Sequence, residues 1–219
     1  RTVFTFECPI TTFELTKQNV INYAAFELPK NTIGIAIDDS KIQRKLMSKV
    51  FTLLGIPEEK QVVKGANAEE IGEFIDTATQ LMKSDPSAYY LLIADENLDV
   101  TENLVHHKTV SGSALVQKLR GDLDPDLESR MLALVRSAND SSTDIALYMA
   151  RAHGFFPKAP VKKEKVYEIL APMWLKRFPE IAMRPDAKRL YSEKETEMFV
   201  SSAADLMQTV NHIDVLCRQ

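Results

Sequence analysis

Between Asn31 and about Trp174, short apolar runs alternate with longer amphipathic stretches. Ile33-Gly34-Ile35-Ala36-Ile37, Tyr89-Tyr90-Leu91-Leu92-Ile93-Ala94 and Met131-Leu132-Ala133-Leu134-Val135 are short and apolar throughout, as strands covered on both faces are. Gln61-Val62-Val63 and Gly154-Phe155-Phe156 carry a weaker form of the same signal. Ile42, Leu46, Met47, Val50, Phe51 and Leu54 recur at helical spacing, and Gly55 supplies a left-handed stop. Ile71, Phe74, Ile75, Ala78, Leu81 and Met82 predict a second helix, capped at Asn67 and ended by Asp85-Pro86. Further helices are expected around Ser113–Leu119, Ile145–Ala152 and Lys163–Trp174.

Five strands alternating with five helices predict an α/β domain, a flavodoxin-like doubly wound parallel sheet whose ligands sit beyond the carboxyl ends of the strands. The predicted unit is residues 31–174. Residues 1–30 precede it as a strand and linker, and 175–219 follow it as a helical extension in which Met198, Phe199, Leu206, Met207, Val210, Ile213 and Leu216 fall at near-helical spacing. That helix covers the main domain, forms a homodimer seam or opens a further domain, and its spacing does not choose among them. No repeat or low-complexity segment interrupts the pattern.

Composition narrows the function classes. Hydrophobic residues are 45% and charged residues 26% of the 219, an ordinary globular balance. A net charge of −4 and a pI near 5.7 give no positive field for nucleic acid or an anionic membrane surface. Cys8 and Cys217 make neither a disulfide framework nor a zinc-ligand spacing, which fits a reducing cytoplasm. No apolar run approaches the roughly 20 residues that span a bilayer. The chain opens on Arg1, and we read it as part of a longer protein whose other segments are free to carry a membrane anchor.

The candidate chemistry lies at the strand ends. The first long apolar run ends in Asp38-Asp39 and the central one in Asp95, so the wound fold gathers three carboxylates at one edge. Like charges this close repel, and a hard, oxygen-seeking ion such as Mg2+ relieves them. The next two strands end in Ser137 and Lys158, a hydroxyl and an ammonium complementary to phosphoryl oxygens. His106-His107 is read as a polar loop rather than a metal or phosphodonor site.

Asp38-Asp39, Asp95, Ser137-Ala138 and Lys158, in this order and at strand ends, resemble the receiver domain of two-component signalling over about two-thirds of the chain. The resemblance implies a sheet order of 2-1-3-4-5, Asp95 as phosphoacceptor, and Mg2+ bound directly by Asp39 and Asp95, with Asp38 acting largely through water. It implies that Asn97 lends its backbone carbonyl, that Ser137 and Phe155 form the switch pair, and that Lys158 is the site lysine. Gly112 and Leu115 resemble the head of the family's third helix. Three departures stand out: Ala159 separates Lys158 from Pro160, the segment Glu96–Ser111 is long and lacks the family's proline, and Gly121–Arg130 is extended.

The implied partner is a histidine kinase or phosphotransfer domain carrying phosphohistidine. Arg1-Thr2-Val3-Phe4-Thr5-Phe6-Glu7-Cys8-Pro9-Ile10 resembles the last strand of a histidine-kinase ATP-binding domain, which would make the parent a hybrid histidine kinase and Lys17–Asn31 a linker. Two rival readings remain. One is a receiver-like binding or dimerisation module that accepts no phosphate. The other, a distant third, is a metal-dependent phosphoesterase, which would call for a nucleophile-and-acid Asp-x-Asp pair at the strand-end cluster, where Asp38, Asp39 and Asp95 do not form one.

Overall fold

The computed structural model describes residues 26–103, 106–158 and 162–179. In chain order the first half holds β1 (Thr32–Ile37), α1 (Lys41–Leu53), β2 (Gln61–Lys64), α2 (Ala68–Gly72), α3 (Phe74–Ser84) and β3 (Tyr89–Asp95). There follow β4 (Asn97–Asn103), β5 (His106–Ser111), α4 (Gly112–Asp122), α5 (Pro125–Ser129), β6 (Met131–Ser137), α6 (Ser142–Arg151), β7 (Gly154–Pro157) and α7 (Lys163–Arg177).

Because β1, β3 and β6 are buried on both faces, their sequences are apolar without alternation, and they form the centre of a parallel sheet ordered β2-β1-β3-β6-β7. This is the flavodoxin-like order expected above. Successive residues point to opposite faces and so build two cores. Ile33, Ile35, Tyr90, Leu92, Ala133 and Val135 pack with Phe74 and Met82 of α3, Val116 of α4 and Tyr148 of α6. Ala36, Leu91, Ile93, Leu132 and Leu134 pack with Val50 and Phe51 of α1 and with Leu170 and Trp174 of α7. Each such fully buried side chain contributes about 1.5–3 kcal/mol.

Phe178 packs against Trp174 with rings tilted by 55° and centroids 4.6 Å apart, and meets Tyr89 edge-on at 5.1 Å, while Phe26 meets Tyr167 edge-on at 6.0 Å. The ends of the described chain are thereby tied to the α1/α7 face.

Three segments differ from the expectation. The predicted helix through Ile71 and Met82 is two helices, α2 and α3, joined at Glu73, next to the poor helix former Gly72. Asn67 does cap the first, accepting from the Glu70 N–H at 2.8 Å.

Residues 96–111, read as a long loop, contain the antiparallel hairpin β4–β5. Leu98 and Val100 alternate inward from it, and Leu98 is fully buried in the α3/α4/α6 core. The stretch 121–130 closes with the short helix α5, started by Asp124 and Pro125. The N-terminal strand, the bend at Ala159-Pro160 and the C-terminal helix lie outside the described residues.

Candidate functional site

The carboxylates sit where two chain crossings are tight. Asp38 follows the last residue of β1, and its N–H donates to the Lys64 carbonyl at 3.1 Å, drawing the ends of β1 and β2 together. Gly65, at φ +110°, completes this approach: a Cβ there would lie 2.4 Å from the Asp38 carbonyl oxygen. Arg44 of α1 holds the loop from the other side, its Nη1 2.9, 2.7 and 2.9 Å from the carbonyl oxygens of Asp38, Asp39 and Gly65. The Asp38 carboxylate is oriented by its own turn, Oδ1 accepting from the Ser40 N–H at 2.9 Å.

Asp95 ends β3, the middle strand, and is 3% exposed. One carboxylate oxygen from each of Asp38, Asp39 and Asp95 lies within 4.8 Å of the others. The Lys158 ammonium is 2.5 Å from Asp95 Oδ1. Burial, then the nearby Asp95 charge, pushes the Asp38 carboxyl up to about 6. Burial also raises Asp95, against the pull of Lys158. These oxygens are thus short of positive charge, and an all-oxygen donor set of this kind fits a hard divalent ion such as Mg2+.

A further cation lies inside the cluster. Arg136, the penultimate residue of β6, is in register with Asp95, on the same side of the sheet as Asp38, and is 1% exposed. Its Nη1 is 3.6 Å from Asp38 Oδ2. That distance makes an ion pair without a hydrogen bond, and neither the guanidinium nitrogens nor Asp38 Oδ2 find a hydrogen-bond partner.

The hydroxyl and aromatic residues form a connected set. Ser137 Oγ accepts from the Asn139 N–H at 3.0 Å and from the Tyr148 hydroxyl at 3.3 Å. Both contacts use the oxygen as acceptor, leaving its own hydrogen to donate. Tyr148 in turn stacks on the half-buried Phe155, ring centroids 5.7 Å apart and 21° from parallel. Asn97 is exposed at the first position of β4, two residues beyond Asp95.

Glu96 locks the hairpin to the site. Its carboxylate accepts from the Ser113 N–H at 2.8 Å and the Ser111 hydroxyl at 2.9 Å, at the start of α4. Gly112 is required there: a Cβ would lie 1.8 Å from the Asp95 carbonyl oxygen.

A central strand ends in a buried aspartate, flanked by a double-aspartate loop on one side and a hydroxyl and a lysine on the other. The fold is a flavodoxin-like doubly wound parallel sheet. Among solved structures the chain is similar to a response regulator receiver protein from Dyadobacter fermentans, at 15% identity over 65% of this chain and 98% of that one, with a TM-score of 0.46. It is also similar to the NarL signal receiver domain of Mycobacterium tuberculosis (18% identity, 67% and 98% of the two chains, TM-score 0.42). A third is the CheX-CheY-BeF3-Mg+2 complex from Borrelia burgdorferi (16% identity, 70% and 95%, TM-score 0.45). No family model and no curated protein matches the sequence.

The doubly wound sheet brings Asp38, Asp39, Asp95 and Lys158 to one edge, with Ser137 ending the strand beside Asp95. Phe155 stacks on Tyr148, whose hydroxyl reaches Ser137. Sequence reasoning missed Arg44, Glu96, Arg136 and Tyr148. Arg136 left a signal, a charge inside the otherwise apolar run Met131–Val135 plus Ser137, since buried arginines are rare unless paired. Arg44 and Glu96 left none, because the backbone carbonyls that Arg44 meets and the Ser111 and Ser113 groups that Glu96 meets are brought close only by the fold.

Proposed function

We propose that this chain is a phosphoacceptor receiver in which Asp95 takes a phosphoryl group from a phosphohistidine on a histidine kinase or phosphotransfer domain. The observation that carries this reading is the buried Asp95 carboxylate, ion-paired to Lys158 at 2.5 Å and clustered with Asp38 and Asp39. An Asp95 oxygen attacks phosphorus in line with the departing imidazole. The P–N bond breaks, its electron pair returns to the ring, and the ring takes up a proton.

Transfer spreads negative charge over the phosphoryl oxygens, so the protein's task is positioning and positive charge. Lys158 moves from the carboxylate to the transferred group, and the free hydrogen of Ser137 donates to it. Asp39 and Asp95 would hold Mg2+ directly, with Asp38 acting through water and Asn97 through its carbonyl. When bound, that ion supplies positive charge to the phosphoryl oxygens. Drawing Ser137 toward the new charge shifts Tyr148 and, through its ring, Phe155, which carries the change to the α6/β7 surface.

The parent protein is read as a hybrid histidine kinase with this domain in the cytoplasm, on the resemblance of residues 1–10 and the cysteine usage. No helix among the described residues is long and apolar enough to cross a membrane. One observation favours the rival reading, a module that binds partners without phosphorylation: two cations, Lys158 and Arg136, already face the carboxylates.

Intact-protein mass after incubation with acetyl phosphate and Mg2+ separates the two readings. A Mg2+-dependent phosphoryl adduct that is lost in Asp95→Asn is the expected result. If the wild type forms no adduct while a control receiver labels normally, the phosphoacceptor reading falls and the binding module takes its place.

A further inference from the structure

Among the described residues, Arg136 is the only buried guanidinium with all three nitrogens lacking a hydrogen-bond partner. A guanidinium carries five N–H donors, and here all three nitrogens are buried without a hydrogen bond. Leaving such donors unmet is costly, and breaking a buried charge pair more so. What holds Arg136 in place is the charge of Asp38, whose Oδ2 is 3.6 Å away and has no hydrogen bond of its own.

Asp38 Oδ1 is already engaged by the Ser40 N–H. The oxygen turned toward Arg136 is the one without a hydrogen bond, so a cation that uses it meets the guanidinium there. Lys158 lies on the far partner, Asp95, and is partly exposed, whereas Arg136 is sealed beneath the sheet edge. Three carboxylates facing Lys158 alone would carry a formal charge of −2. Arg136 brings that to −1.

We propose that Arg136 is a resident counter-ion of the carboxylate site that competes with a divalent cation for Asp38 and so holds the site's Mg2+ affinity low. The proposal rests on the receiver reading for the identity of the metal, and deepens it. Metal binding at Asp38 weakens the nearer of the two carboxylate charges that act on Arg136, Asp38 and Asp95, at the residue next to Ser137 on β6. Occupancy of the metal site is thereby coupled to the strand end that carries the hydroxyl.

The test is calorimetric titration of the full chain with Mg2+, comparing wild type, Arg136→Met and Arg136→Lys, with Asp95→Asn marking the site. Methionine fills similar volume without charge, so Mg2+ affinity should rise at least about tenfold. Lysine keeps the charge and should stay within about threefold of wild type. Should Arg136→Met lose its folded far-UV spectrum, Arg136→Gln reports the same quantity.

Equal or weaker Mg2+ binding in the uncharged variants overturns the proposal. The adduct assay on wild type is read separately. An adduct with no gain in Mg2+ affinity removes the counter-ion role alone. A gain in affinity without any adduct keeps that role and removes the phosphoacceptor reading.

Discussion

Charge is clustered at both ends of β6, and the two ends are built in opposite ways. At the amino end, Glu128 accepts from Arg120 Nε at 2.9 Å, from Arg177 Nη2 at 2.7 Å and from His153 Nε2 at 3.0 Å. Arg177 adds bonds to the carbonyls of Met131 and Glu128, and Arg120 one to the carbonyl of Arg151. His153 Nδ1 accepts the Ala133 N–H at 3.0 Å, so the ring is neutral with its hydrogen on Nε2. Burial, together with Arg120 and Arg177, pushes that imidazole down to about 4. Burial alone would raise Glu128, but the bonds from Arg120 and Arg177 hold it below the usual carboxylate range.

At the carboxyl end the partners are fewer: Lys158 pairs with Asp95 and the Ser40 N–H with Asp38. Asp38 and Asp95 are raised, and Arg136 has charge nearby but no hydrogen bond. The contrast teaches that the amino edge is a structural clamp joining α4, α5, α7 and the start of β6, while strain is kept where a ligand would relieve it.

The largest effect that would sharpen the contrast is expected at Gly112. Gly112→Ala forces a methyl against the Asp95 carbonyl, 1.8 Å away as built, and should cost about 4 kcal/mol in urea unfolding. A loss under about 1 kcal/mol would mean that the carboxylate edge yields easily and is not held rigid.

The two edges should also titrate with opposite sign. The folded chain keeps a proton on Asp38 up to about pH 6, the unfolded chain only to 3.8, so this group's stabilisation is lost as pH rises across that window. His153 binds its proton up to 6.5 when unfolded and only below about 4 when folded, so its contribution is gained as pH rises. Each amounts to about 3 kcal/mol and they offset one another. In Mg2+-free buffer His153→Gln should expose the falling slope between pH 4 and 6, read as the urea midpoint. A midpoint that still climbs with pH in this variant would show that Asp38 is not destabilised by burial.

The smallest effect lies at the other end of α4. Gly121 has open space where a Cβ would stand, and an ordinary backbone conformation. Gly121→Ala should therefore stabilise by about 0.5 kcal/mol without altering Mg2+ binding. Destabilisation there would remove the distinction between a tight carboxylate edge and a tolerant amino edge.

Much of this was legible before the structure. The strands β1, β3 and β6 announce themselves because burial on both faces demands unbroken apolar runs, and the strand ends then name Asp38, Asp39, Asp95, Ser137 and Lys158 as neighbours. The hairpin β4–β5 was written in the alternation of Leu98 and Val100, yet an insertion between a strand and a helix gives no reason to expect it in the core.

Which residues end at the carboxyl edge was determined by the sequence alone, since period and chain order suffice to place them in a wound sheet. How charge is distributed there was decided by tertiary structure. Whether Arg136 meets Asp38, whether Arg44 finds three carbonyls, and whether Tyr148 links Ser137 to Phe155 depend on distances of a few ångströms between segments far apart in the chain. Electrostatic and hydrogen-bond energies change steeply over such distances, and a linear pattern of apolar and polar positions carries no information about them.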